Sequence, residues 1–139
     1  MRETVYSAND EERRGVVNRL AAALEREPNI AFAYLYGSFV DADAFHDVDI
    51  GVYMSRCEPD QGTMYVLDLI QRLADLVPFP IDVRILNDAP VSFLYHVLKG
   101  RPIHIQDDEV LTNLMEQTVR QYLDMAPLLR ESTREAFSG

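Results

Sequence analysis

An apolar run from Ile30 to Tyr36 stops at Gly37-Ser38, and after eight intervening residues Asp47-Val48-Asp49 leads into a second apolar run that ends at Met54. Short apolar runs bounded by turn residues read as buried strands, so this stretch predicts two strands joined by a short helix or loop. Asp47 and Asp49 are two apart in a segment of strand character, which places both side chains on one face of a sheet. Two carboxylates held side by side repel each other unless a cation neutralises them. That face is therefore not core, and the pair is a candidate divalent-metal site.

The rest of the chain predicts one mixed α/β unit. Asn9 or Asp10 can cap a helix that carries Val16, Val17, Leu20, Ala23 and Leu24 at spacings of three and four and ends before Pro28. After the turn at Glu58-Pro59-Asp60, a helix from Asp60 to about Leu76 shows an apolar stripe of Met64, Leu67, Ile70, Leu73 and Leu76, expected to be core, until Pro78 and Pro80 stop it. Ile81 to Leu86 reads as a third strand, Ala89 to Lys99 as a helix ending at Gly100, and Ile103 to Gln106 as a fourth strand. Asp107 or Asp108 then caps a last helix to about Glu131. At 139 residues, 47% hydrophobic and 26% charged, the chain is expected to form a single domain over residues 1–139 around one core.

Charge and cysteine use exclude some functions. Thirteen Lys and Arg against 23 Asp and Glu give a net charge of -10, which argues against an extended nucleic-acid surface. Cys57 is the only cysteine, so there is no internal disulfide and no multi-cysteine zinc site. The amino terminus shows no signal-peptide core, and no apolar stretch approaches the roughly 18 residues of a membrane span, so a cytoplasmic location is expected.

Asp82 lies one residue into the third strand and is the natural third acidic ligand if that strand pairs beside the Asp47 to Met54 segment. Three such groups can hold two Mg²⁺ about 4 Å apart. Gly37 lets a backbone approach closely, and the N–H groups and hydroxyl at Ser38, opening a helical turn, suit a phosphate cradle. Taken singly these are weak signals: Gly-Ser after a strand is usually a turn, and Asp-x-Asp is usually solvated surface.

Their order is more specific. Strand, Gly37-Ser38, short connection, Asp47-Val48-Asp49 entering a strand, then Asp82 in a later strand resembles the nucleotidyltransferase signature of the DNA polymerase beta superfamily. At this length the chain is similar to the minimal nucleotidyltransferases, in particular the MntA-like antitoxin adenylyltransferases that pair with HepT-type toxins. The likeness continues through Asn87-Asp-Ala-Pro90 and Val97-Leu-Lys-Gly100. It implies a polymerase-beta-like fold, with metal ligands at Asp47, Asp49 and Asp82, Asp82 as general base, and two Mg²⁺. It implies as well transfer of AMP from ATP to a tyrosine hydroxyl of a HepT-like toxin. Many members have a longer connection with Arg and Gly, whereas this one is short and contains Asp41 and Asp43. Triphosphate contacts at Gly37 and Ser38 therefore follow less directly than the metal ligands. Two alternatives stay open: an antitoxin acting by complex formation without turnover, and a nucleotidyltransferase acting on a small-molecule hydroxyl.

The remaining candidates carry paired readings. His46 can orient a ligand or occupy a loop, and Arg84 can reach a phosphate or pair with the carboxylates. Arg56 and Arg101 are phosphate contacts or surface charges, while His96 and His104 lack metal-ligand spacing. The last helix, with Leu111, Leu114, Met115, Val119, Tyr122 and Leu123, has more apolar positions than one packed stripe requires, so it is either a docking surface or part of the core. A homo-oligomer also remains open.

Overall fold

The structure, a computed structural model, describes residues 4–58 and 60–138. Pro59, in the expected turn at residues 58–60, lies outside the described residues. The elements in chain order are β1 (Tyr6–Ser7), α1 (Asp10–Leu24), β2 (Ile30–Tyr36), α2 (Ser38–Asp41), β3 (Ala44–Phe45) and β4 (Val48–Met54). They continue with α3 (Gly62–Ala74), β5 (Ile81–Ile85), α4 (Val91–Leu98), β6 (Arg101–Ile105) and α5 (Asp108–Ser138). The main sheet has the order β5-β4-β2-β6, parallel between β4 and β5 and antiparallel elsewhere. A parallel pair needs a crossover, and α3 lies in the segment that supplies it.

Every residue of β2 is buried, because helices cover both faces of the sheet. Ala33 and Leu35, with Ile50 and Val52 of β4, pack with Val16, Leu20 and Leu24 of α1 and Leu69 and Leu73 of α3. Phe32, Tyr34 and Tyr36 pack on the other side with Leu94, Val97 and Leu111 of α4 and α5. The α1 start is a reciprocal capping box: Glu12 N–H donates to Asn9 Oδ1 at 2.8 Å, and Asn9 N–H donates to Glu12 Oε1 at 3.1 Å. Asp107 caps α5, accepting from Val110 N–H at 3.1 Å.

Two expectations change. Met64 and Leu67 are 69% and 52% exposed, and the buried residues of α3 are Leu69 and Leu73. Met64 lies about two and a half helical turns before Leu73 and so points away from the core. The small antiparallel sheet of β1 and β3, with Tyr6 opposite Phe45 and Ser7 opposite Ala44, was not expected. Two-residue strands carry no periodicity to read. On α5, Leu111 is buried, whereas Met115, Val119, Leu123 and Met125 are exposed. Among the described residues no helix is long and apolar enough to cross a membrane.

Candidate active site

The strand register assembles a row of three side chains from distant parts of the chain. Val48 N–H donates to Pro80 O at 2.8 Å and aligns the start of β5 with that of β4. Asp49 then has Tyr36 as its register partner on β2 and Asp82 as its partner on β5. Val48, Ile50 and Val52, with Ile81 and Val83, are in the α1 and α3 core, so alternation sends Asp49 and Asp82 to the face that carries Tyr36. No shift between the strands is needed to bring these two carboxylate positions side by side. Asp47 immediately precedes β4 rather than lying within it, two residues before Asp49, and is half-buried.

Gly37 sits directly against this row. Its φ of 81° and ψ of -160° are reached with ease only by glycine, and among the described residues no other has positive φ. A Cβ there would stand 2.6 Å from Asp49 Oδ2. The next residue, Ser38, opens α2, whose backbone closes through Val40 and Asp41 N–H donating to Gly37 O, each at 3.0 Å. The first N–H groups of a helix have no partner within it, so the turn leaves donors at Ser38 and Phe39 for other use.

Tyr36 reports the electrostatics. Burial pushes its phenol above the ordinary tyrosine range, and the negative charges of Asp49, Asp82 and Asp47 push it further, while Arg84 opposes them. One buried hydroxyl thus feels all three carboxylates. The Tyr36 ring meets Phe93 and His96 edge-on at 5.5 and 5.8 Å. Arg84 Nε lies 3.4 Å from Asp82 Oδ2, and its guanidinium carbon is 5.7 Å from the Phe93 ring centroid. With Arg84 62% exposed, that pair contributes only about 0–1 kcal/mol. Beside it, an open cavity of about 540 Å³ is lined by Arg84, Asp88, Pro90 and Phe93. A better enclosed cavity, about 410 Å³, lies between α1 and α3 against the other face of the sheet and so away from the row.

Among the described residues no three His, Cys, Asp or Glu side chains converge closely enough to form a ready-made metal cluster. The donor chemistry nevertheless fits Mg²⁺, which takes a few carboxylates and completes its shell with water and phosphate oxygens. Asp49 and Asp82 are adjacent, and a side chain at Gly37 would stand against the Asp49 carboxylate.

The other candidates fall elsewhere or act structurally. His46 Nδ1 donates to Thr4 O at 3.0 Å. Arg56 pairs through its backbone with Asn29 beyond the far end of β4, with both bonds 2.8 Å long. Arg101 opens β6 opposite Leu35, His104 follows on the same strand opposite Ala33, and Tyr122 stacks on Tyr95 at 3.7 Å. Sequence reasoning missed Tyr36, which the apolar run concealed, and Arg13. The Arg13 side chain meets the segment between Ser38 and Asp47 through hydrogen bonds to carbonyls of Phe39, Ala42 and Asp43.

At one end of the open mixed sheet two carboxylates thus stand side by side with a glycine turn against them. The model described as "Polymerase beta, Nucleotidyltransferase" matches residues 18–109, and the chain belongs to this nucleotidyltransferase family. Among curated proteins, none matches the sequence. Solved structures do. One described as a toxin–antitoxin with AMP-PNP aligns at a TM-score of 0.64 and 18% identity, covering 86% of this chain and 93% of that one. Another, described as a tri-AMPylated Shewanella oneidensis HEPN toxin in complex with MNT antitoxin, aligns at 0.60 and 18%, covering 87% and 98%. A third, described as the toxin–antitoxin MntA-HepT, aligns at 0.55 and 19%, covering 92% and 94%. At such identities the likeness shows the fold.

Proposed function

We propose that the protein is an Mg²⁺-dependent adenylyltransferase that moves AMP from ATP onto a tyrosine hydroxyl of a HepT-like toxin and thereby neutralises it in the cytoplasm. The observation that carries this reading is the register row in which Asp49 stands between Tyr36 and Asp82, with Gly37 against the Asp49 carboxylate. The aligned structures described with an AMPylated toxin and with AMP-PNP support the nucleotide and the partner. Asp47, Asp49 and Asp82 are the residues that would hold Mg²⁺, which when bound neutralises charge on the triphosphate. Gly37 and Ser38 position the outgoing phosphates through backbone N–H groups and the Ser38 hydroxyl. The acceptor oxygen attacks the α-phosphorus in line: its bond to AMP forms as the bond to pyrophosphate breaks. Asp82, on the edge strand β5, takes the hydroxyl proton as general base.

A second reading rests on α5, where exposed Met115, Val119 and Leu123 favour neutralisation by complex formation alone. Incubation with labelled ATP, Mg²⁺ and the protein encoded beside this one separates the two. Label on the partner that disappears with Asp82→Ala supports transfer. A stable complex that stays unlabelled sinks it in favour of binding, and label on a small-molecule hydroxyl moves the acceptor outside proteins.

A further inference from the structure

We infer that Arg13 of α1 is a positioning residue of the candidate site, holding the connection between Ser38 and Asp47 in one shape; its link to catalysis rests on the transfer reading above. Residues 39–46 contain no Lys or Arg, and the one helix they enter, α2, is four residues long and begins at Ser38. A helix of one turn does not hold itself in water, so its order must come from outside. Arg13 supplies it. Its Nη1 donates to Phe39 O, and its Nη2 donates to Ala42 O at 3.2 Å and Asp43 O at 2.9 Å. Its Nε donates to Ala8 O at 3.0 Å, fixing the stem of the side chain.

The same guanidinium lies over two rings, 5.1 Å from the Phe39 centroid and 5.2 Å from that of Phe45. Those rings meet edge to face at 4.9 Å, and Phe45 meets Phe79 in the same way at 4.9 Å. Phe39 follows Ser38, and Phe45 stands two residues before Asp47. One planar cation therefore grips both ends of the connection where it joins the candidate phosphate turn and the candidate metal ligand. Planarity matters, because a guanidinium can spread several N–H donors in one plane and stack on rings together, whereas an ammonium is a point charge.

Amide hydrogen exchange and nucleotide-transfer kinetics on the full chain, Arg13→Lys and Arg13→Ala test this. Amides of residues 39–45 are expected to exchange about tenfold faster or more in both variants, with β2 and β4 unchanged. The KM for the nucleoside triphosphate is expected to rise about tenfold with a smaller change in kcat, and millimolar guanidinium ion to restore part of the loss in Arg13→Ala but not in Arg13→Lys. If Arg13→Ala does not fold, Arg13→Lys carries the comparison. Unchanged exchange at 39–45 overturns the inference, as does equal acceleration in β2 and β4, which would make Arg13 a general brace. Should the wild-type chain transfer no nucleotide to any acceptor, the transfer reading falls while the exchange pattern still decides the role of Arg13.

Discussion

Gly37→Ala tests the close approach beneath Asp49. At φ 81° and ψ -160° the backbone occupies a region that is essentially glycine's alone, where a side chain costs about 1–3 kcal/mol. A second cost is steric. The new Cβ would meet Asp49 Oδ2 at 2.6 Å, so the carboxylate must rotate away, and an off-rotamer side chain costs about 0.5–1.5 kcal/mol. For a chain of this length each kcal/mol lowers Tm by about 3–5 °C, so the variant should melt roughly 5–20 °C below wild type. Calorimetric melts of Gly37→Ala, Asp49→Ala and the double variant separate the two parts. With Asp49 truncated only the backbone part remains, which leaves a coupling of about 0.5–1.5 kcal/mol between the sites. A Gly37→Ala protein within about 0.5 kcal/mol of wild type would refute the backbone argument. An equal loss in both backgrounds would refute the contact.

Asp82→Asn should keep its melting temperature, because the exposed Arg84 pair contributes little, yet lose transfer about 10²- to 10⁴-fold; retained activity would remove Asp82 as the base. Gly100→Ala places a Cβ 2.2 Å from Leu35 O, a main-chain atom that cannot swing aside, so urea unfolding should show a loss of about 1–3 kcal/mol, and an unchanged midpoint would contradict the register between β2 and β6. The phenols of Tyr34, Tyr36 and Tyr65 all titrate above their ordinary value of 10.0 in the fold. The native state then keeps those protons longer than the unfolded chain does, so their contribution is full below pH 10 and is lost as pH rises through the native values. Unfolding measured from pH 8 to 11 should show this fall, and Tyr36→Phe should make it shallower; parallel curves would refute the burial of that hydroxyl among carboxylates.

Legibility in the sequence followed how local each cause was. The bounds of β2 and β4 are those of two apolar runs with turn residues between them, whereas the α1 cap stands open in the sequence between Asn9 and Asp10 and the structure gives Asn9, paired with Glu12. On α3 the eye connects Met64 and Leu67 to the apolar set, but helical geometry points them to water. Asp47, Asp49 and Asp82 are visible as residues. The adjacency of Asp49 and Asp82 is not, because it depends on a parallel register across 33 positions of chain. Arg13 is harder still to see. Its acceptors in the connection are main-chain carbonyls 26 to 30 residues away, and a carbonyl carries no residue identity in a sequence.

The row of Tyr36, Asp49 and Asp82 spans three strands, and the last of these, β5, is an edge strand whose one partner in the sheet is β4, with α3 packed against its inner face. Edge pairings that close long loops form late and open early. In a chain emerging from the ribosome the glycine turn and the first two carboxylates precede the third, and the row is complete only once β5 docks. On warming, the order reverses: fraying of one five-residue strand dismantles the row while the double-sided core around β2 is still intact. On the transfer reading, activity in such a protein would report on the completeness of folding and should be lost at a lower temperature than the fold itself.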